Sequence, residues 1–457
     1  MAPLSCSVRV LCRGAGAFRR MSTAAQSQSE VDFLKGELHR KHPGVTNLKT
    51  LSLPEELQMA AKSIIQRAPV NRLSERTHSF ANFLWSRKRA VEDVTLRRTA
   101  VSLERELWKK AMEKGGDIDE DALGDRIRRK VFSELKRTTY HWTALKYDEE
   151  LCVVYMAARL AGGYAAVRRA LNEIKKRDPS FAPQSLLDFG SGLGTVVWAS
   201  HSHWAASLKE MVCVDSSGPM NILAERLLKG DDDQAPAHIQ QVYFRQFLPV
   251  SPKVQFDLTV AAFTLSEIPG VKEREEAVLT LWRKTSSYLV LVENGTKEGH
   301  QILMEARDAL LKKQDKTVHD SRPASVFAPC PHELTCPKLS RGHVVPCNFQ
   351  QMYQPLPLPG HNERQTEKFS YLILTRGGPL EAETEGVNWA RLVAPVLRRT
   401  RHVHCRTCAP DGKLQHMVVT ARKHSRDVYR CARNSDWGDQ LPVIEKDEED
   451  VQSDSET

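Results

Sequence analysis

The 457-residue chain has no uninterrupted apolar run approaching the roughly 20 residues that a membrane helix needs, and it is therefore expected not to span a bilayer. It has no acidic residue before Glu30, while Arg9, Arg13, Arg19 and Arg20 alternate with serine, alanine and apolar residues. Arg9 and Arg13 interrupt what would have to be the apolar core of a secretory signal, so residues 1–20 read as a mitochondrial presequence cut near Arg20, with the mitochondrial matrix as the compartment. Acids are scarce again between Arg391 and Arg433, where only Asp411 and Asp427 stand against eleven Lys and Arg.

What is present allows a sizeable core. Hydrophobic residues are 41% and charged residues 27%, and the length suits two or three folded regions. The net charge of +9 favours an anionic partner, with nucleic acid the commonest. It understates the basic body, because Glu445 to Asp450, Asp454 and Glu456 make residues 444–457 an acidic tail, expected to be disordered.

Residues 21–180 read as a helical N-terminal region. Ser52 and Glu55 form a capping pattern, Pro54 suits a first turn, and Leu57, Ala61, Ile64 and Ala68 follow on one face. Gly115-Gly116 and Gly162-Gly163 are read as turns between helices. From 181 to 320 short apolar runs alternate with helical segments: SLLDFG, MVCVD, QVYFRQF, FDLTVAAFTL and YLVLVENG. This is the pattern of a parallel α/β sheet. Residues 366–388 hold a final strand, FSYLILT from Phe369, and a linker, which makes the proline- and cysteine-rich stretch 321–365 an insertion in the fold.

The segment Leu186 to Thr195, LLDFGSGLGT, ends a strand, turns on Gly190, Gly192 and Gly194, and opens a helix, so that backbone N–H groups come close to a ligand. A dinucleotide fold would carry its third glycine one residue later, where Thr195 stands, and NAD is the weaker reading. The next strand ends in Asp215, placed to accept hydrogen bonds from ribose hydroxyls, and Asp188 precedes the glycines where methyltransferases usually hold the methionine moiety. Residues from about Ser185 to Asn294 are thus expected to form a class I, Rossmann-like domain binding S-adenosyl-L-methionine. The fourth strand lacks the Asn/Asp-Pro-Pro-Tyr/Phe signature of amino-group methyltransferases and a cysteine nucleophile; Ser266 and Glu267 are its only polar candidates, and either can simply end the strand. No catalytic residue is assigned, and methyl transfer is not expected.

Ten cysteines in a reducing compartment do not form a disulfide framework. Cys152 and Cys213 lie in apolar runs and read as core. Cys330, Cys336 and Cys347 are spaced C-x5-C-x10-C with a proline beside each, and Cys405-x-x-Cys408 follows FSYLILT. Thiolates suit a soft metal, and extended proline-rich backbone can present several to one centre. One of Cys405 and Cys408 is then spare; Cys408 opens CAPDG, a turn that could aim its sulfur back. Zinc and a [4Fe–4S] cluster both accept four cysteines, and the residues do not separate them.

Residues 389–443 form a basic region with His402, His404, His416 and His424 among the Lys and Arg, read as a phosphate-contacting surface. QHMVVTARK and VYRCARN are read as short strands of a small β domain that could lie on RNA.

YMAARLAGGYAAV at Tyr155, LLDFGSGLGT at Leu186, APCPHELTCP at Ala328, CAPDGKLQH at Cys408 and YRCARNSDWGDQLP at Tyr429 occur together. In these strings the chain resembles the methyltransferase-like assembly factors of the mitochondrial small ribosomal subunit. The resemblance implies a matrix protein, monomeric when free, that binds ribosomal RNA and proteins of the immature subunit and supports mitochondrial translation. It further implies a [4Fe–4S] cluster held by Cys330, Cys336, Cys347 and Cys408, with Cys405 departing from the pattern, and a cofactor fold retained without proven methyl transfer. An active ribosomal RNA methyltransferase is the alternative.

Overall fold

The computed structural model describes residues 33–34, 36–113, 119–140, 142–232, 234–251, 253–312, 322–340, 345–358, 364–377 and 388–443. The presequence, the Gly115-Gly116 pair and the acidic tail lie outside them.

Helices α1 (Glu55–Arg67), α2 (Leu73–Ser86), α3 (Asp93–Met112), α4 (Glu120–Thr138) and α5 (Glu149–Arg177) come first. The cap of α1 is Pro54 rather than Ser52, and Leu57, Ala60, Ala61 and Ile64 form its buried stripe. Asp119 caps α4 by accepting from the Asp121 and Ala122 amides, and Asp148 caps α5 by accepting from Leu151. Gly162 and Gly163 make no turn: they lie inside α5, where a Cβ on Gly162 would collide with the Glu367 carboxylate. The pair lets the sheet approach the helix closely. By length and composition α5 could cross a membrane, yet 72% of its most apolar 18-residue stretch is buried here and the helix carries Arg169 and Glu173 in the core.

The main sheet then runs β1 (Ser185–Phe189), α6 (Thr195–Trp204), β2 (Glu210–Val214), α7 (Gly218–Leu228), β3 (Val242–Arg245), β4 (Phe256–Ala262), α8 (Val271–Arg283), β5 (Thr285–Asn294) and α9 (Lys297–Lys312). Its first five strands stand in the order β3-β2-β1-β4-β5, all parallel. Both faces are covered, which is why they read as continuous apolar runs. The sheet is mixed rather than all-parallel. Strands β6 (Ala324–Ala328), β7 (Phe349–Tyr353) and β8 (Gln365–Arg376) follow, with β8 antiparallel to β5 and β6 and β7 antiparallel to β8. The insertion therefore contributes two strands of its own.

A second, antiparallel sheet contains β9 (Asn388–Leu392), β10 (Leu397–Arg398), β11 (Val403–Cys408), β12 (Leu414–Val419) and β13 (Gln440–Val443). VYRCARN is not a strand but part of α10 (Arg426–Asn434), capped by Ser425, with Val428, Cys431 and Ala432 buried at helical spacing. The segment after Phe33 closes on this sheet: the Thr46 and Asn47 amides donate to Asp439 at 2.7 and 2.9 Å, and His42 Nε2 lies 2.8 Å from Ser435 Oγ.

Candidate cofactor pocket and cysteine pocket

The turn between β1 and α6 has Gly190, Gly192 and Gly194 at φ +69°, +47° and +69°, the left-handed region that other residues seldom adopt. A Cβ on Gly190 would strike Thr264; one on Gly192 would meet no protein atom within 4 Å. Gly192 therefore leaves a cradle that a side chain would fill. A pocket opens here, lined in part by Asp188, Gly190, Gly192, Tyr155, Arg159 and Phe263.

Asp188 is 1% exposed, and neither of its carboxylate oxygens has a hydrogen-bond partner. Burial, with Asp215 adding to it, pushes its pKa well above the ordinary range. A cation bound beside it would supply the missing partner. Asp215 accepts from the Gly192 amide at 2.9 Å and the Ser217 amide at 2.8 Å, so it braces the glycine turn. Burial raises its pKa against those two bonds. Each of its oxygens keeps a further lone pair for a hydroxyl donor. Neither Asp215 nor Gly194 lines the pocket itself; Gly194 is the N-cap of α6. The groups present fit S-adenosyl-L-methionine: an orphaned buried acid, an open glycine cradle and a second acid just after β2.

Beyond β4, Phe263 has φ +58°, uncommon for a bulky side chain, and Arg159 lies over its ring at 4.7 Å. Glu267, on a 3₁₀ turn over Leu265–Glu267, is taken up by Arg87 at 2.5 Å. The Ser266 amide donates to Glu293 Oε1 at 3.1 Å. Glu293, at the end of β5, is the group sequence reasoning missed: it is 1% exposed, its Oε2 has no partner, and burial pushes its pKa up to about 7. The only trace in the sequence is an acid closing the apolar run YLVLVEN.

Cys330 and Cys336 follow β6, Cys347 precedes β7 and Cys408 ends β11; all four line one pocket of about 330 Å³ together with His332 and Arg391. Alternation along β11 separates the two candidates for the fourth position. Val403, Cys405 and Thr407 turn to one side and are buried, with Cys405 at 0% exposure in the core beneath α10. Cys408 has the opposite parity and reaches the pocket, where His332 Nε2 lies 3.3 Å from its sulfur. Arg307 approaches Cys330 Sγ at 3.8 Å, and His300 Nε2 lies 3.8 Å from Cys336 Sγ. Burial pushes the Cys347 thiol up to about 12 and raises Cys330 and Cys408, while Arg307 and Lys338 pull the other way. Among the described residues no three His, Cys, Asp or Glu side chains are positioned as ligands of one metal ion. The four thiols share this pocket with the cationic Arg391 and Lys338.

Of the basic positions in the C-terminal region, Arg399, Arg401, Arg406, Lys413, Arg422, Lys423, Arg426 and Arg430 are exposed, Arg406 on β11 and Arg426 and Arg430 on α10. Arg391 is not surface at all; it is 1% exposed and bonded to Glu173. Arg398 is spent locally, donating to the Arg433 and Ser435 carbonyls and to Asp436.

A parallel sheet ordered β3-β2-β1-β4-β5, with a glycine turn after β1, an acid after β2 and antiparallel β8 beyond β5, is a Rossmann-like methyltransferase fold. The chain belongs to the Rsm22 family, described as mitochondrial small ribosomal subunit Rsm22, whose profile matches residues 149–442. It is 50% identical over 419 residues to the human "Ribosome assembly protein METTL17, mitochondrial", covering 92% of this chain and 89% of the human one. It is 27% identical over 325 residues to the fission yeast "Rsm22-cox11 tandem protein 2, mitochondrial", covering 64% of this chain and 43% of that one. Among solved structures, Synechocystis magnesium protoporphyrin IX methyltransferase with bound SAM has a TM-score of 0.30 at 13% identity, over 57% of this chain and all (100%) of that one. A putative RNA methyltransferase from Pyrococcus horikoshii has a TM-score of 0.29 at 9% identity, over 51% and 100%.

Proposed function

We propose that this protein assists assembly of the small ribosomal subunit in the mitochondrial matrix, binding ribosomal RNA through the basic C-terminal sheet. The observation that carries the reading is the face of β11 turned away from the core beneath α10. Cys408 turns into the cysteine pocket while Arg406, of the same parity, is exposed on the basic surface. A centre held by Cys330, Cys336, Cys347 and Cys408 ties that surface to the main sheet. We assign it as a [4Fe–4S] cluster, with zinc as the alternative occupant. S-adenosyl-L-methionine is assigned to the glycine pocket, its ammonium on Asp188, its ribose hydroxyls on Asp215, and its backbone close to Gly190, Gly192 and Gly194. When bound it supplies an electrophilic methyl group; the chain's own residues hold and orient it.

In this reading the domains are a presequence (1–20), a helical region (21–180), the cofactor domain (181–320), the cysteine insertion (321–365), the closing strand and linker (366–388), the RNA-binding sheet (389–443) and the tail (444–457). Depleting the protein from cells and sedimenting mitochondrial ribosomes tests the function. A fall in small subunits relative to large ones is expected, and an unchanged ratio would overturn it. Ribosomal RNA methyl transfer is the second reading, and the orphaned Glu293 oxygen beside the cofactor pocket is what favours it.

A further inference from the structure

Helices α3 and α4 make a hairpin that contributes no residue to the three apolar cores. Among the described residues α3 has none buried, and α4 buries only Gly124, Ile127 and Val131. A Cβ on Gly124 would stand 3.6 Å from the Trp108 ring, so the little apolar surface that α4 buries is spent on holding it to α3. At the base of the hairpin Glu92 accepts from the Val271 amide at 3.0 Å. The pair adds nothing to the packing of either sheet, and what it offers is its outward surface.

At 3.6 residues per turn, Arg126, Arg129, Lys130, Ser133, Lys136 and Arg137 fall within about a third of the circumference of α4, opposite its buried stripe. All six are exposed. The row runs about 17 Å along the axis. The acid among these turns, Glu134, lies off the row and pairs with Arg137 at 2.6 Å. A helix dipole favours cations only in the last turn, and Arg126, Arg129 and Lys130 stand in the middle of α4, so helix stability does not account for them.

The chemistry of the row selects its occupant. It holds no apolar side chain for the core of a protein interface; the exposed Val94, Val101 and Met112 of the hairpin are on α3. It holds no aromatic ring either, and Phe132, the exposed ring of α4, lies on another side of the helix. Unpaired strands are gripped by stacking their bases on such rings. Cations held at fixed spacing on a rigid rod instead match the phosphates of an A-form duplex, which proteins recognise by shape and backbone.

We propose that the outward face of α4 is a docking surface for the phosphate backbone of a double-stranded RNA stem, contacted by Arg126, Arg129, Lys130 and Lys136 without regard to base sequence. The inference rests on the RNA-binding reading and adds to it a second surface, on a different element from the C-terminal sheet.

The test titrates the full chain with a fluorescent RNA duplex of about 16 base pairs, and with one of its strands alone, between about 50 and 200 mM salt. Arg128 and Arg129 are adjacent and both exposed, yet only Arg129 lies in the row. Arg129→Gln is expected to flatten the plot of log affinity against log salt by about 0.9, and Arg128→Gln to leave it unchanged. Arg126→Gln, Arg129→Gln and Lys130→Gln together should flatten it by about 2.7 and weaken duplex binding about tenfold or more. Should that triple variant lose helix content by circular dichroism, the comparison of the two single variants decides.

Equal slopes for Arg128→Gln and Arg129→Gln, or duplex affinity untouched in a folded triple variant, would overturn the proposal. A single strand bound as tightly as the duplex and weakened equally makes the occupant unpaired RNA and overturns it too. So does a triple variant that binds duplex normally but no longer joins the small subunit, because the occupant is then a protein. Reversing Arg399, Arg401 and Arg406 separates this proposal from the reading beneath it. Binding lost there and kept in the α4 variants leaves RNA binding by the sheet and removes the α4 surface; binding lost only in the α4 variants does the converse. A chain that binds neither RNA removes both.

Discussion

Arg391 on β9 and Glu173 on α5 are joined at 2.9 Å, with their side chains 1% and 0% exposed. The guanidinium also donates to the Pro329 carbonyl beside Cys330 and to the Gly438 carbonyl. One residue thus ties the core helix, the cysteine loop and the C-terminal sheet together. Burial works to raise the Glu173 pKa, but Arg391, Arg169 and Arg177 outweigh it and hold the group well below the carboxylate range.

Removing one partner leaves a buried charge uncompensated. Arg391→Ala is expected to cost about 3–5 kcal/mol, read from urea unfolding. Glu173, with its folded pKa depressed, contributes stability present above its unfolded value and lost as pH falls below about 4.5. The deficit of Glu173→Gln should accordingly shrink as pH drops from 6 toward about 3. A variant deficit independent of pH would contradict this.

Glu293 has the opposite sign. Its folded pKa, about 7, lies above the ordinary 4.5, so its contribution is full below pH 4.5 and is lost as pH rises through 7. Glu293→Gln should match the unaltered chain near pH 4 and exceed its stability at pH 8, by up to about 3 kcal/mol. A pH-independent difference in thermal unfolding would remove the buried-carboxyl account.

Much of this was legible in the sequence because parallel strands buried on both faces leave unbroken apolar runs, and LLDFGSGLGT marks the turn they feed. Other features depend on contacts between distant segments. Gly162-Gly163 read as a break because glycine usually punctuates, whereas here the pair makes room for Glu367. VYRCARN read as a strand because its helical spacing rests on three residues, Val428, Cys431 and Ala432. Arg391 counted as surface charge because its partner lies 218 residues away in the chain. The burial of Glu293 has no local signal. The CAPDG turn favours Cys408 over Cys405 in the sequence, and strand parity puts the two on opposite sides of β11.

That parity gives a direct test of the cysteine pocket. Anaerobically purified protein is expected to hold iron and absorb broadly near about 400 nm. Cys336→Ser and Cys408→Ser should lose the absorption, and Cys405→Ala should keep it. Stoichiometric zinc without iron would replace the cluster assignment, and loss in Cys405→Ala would reverse the assignment of the fourth ligand.

The exposed arginines predict that RNA affinity falls steeply with salt, as counterion release requires. Reversing Arg399, Arg401 and Arg406 should weaken binding and flatten the slope. Arg398 is a poor choice for this experiment, because it is bonded to its own domain at Arg433, Ser435 and Asp436. A flat salt response would remove RNA as the direct partner.

In the proposed function the methyltransferase-like fold serves assembly and not modification of the RNA. Gly192→Val places a side chain in the cofactor cradle at a backbone angle it resists. In cells whose only copy carries this change, methylated nucleotides of the small-subunit RNA are mapped alongside sedimentation of the subunit. Impaired assembly with every methyl mark intact is the predicted result; one specific mark lost while subunits assemble normally would contradict the account.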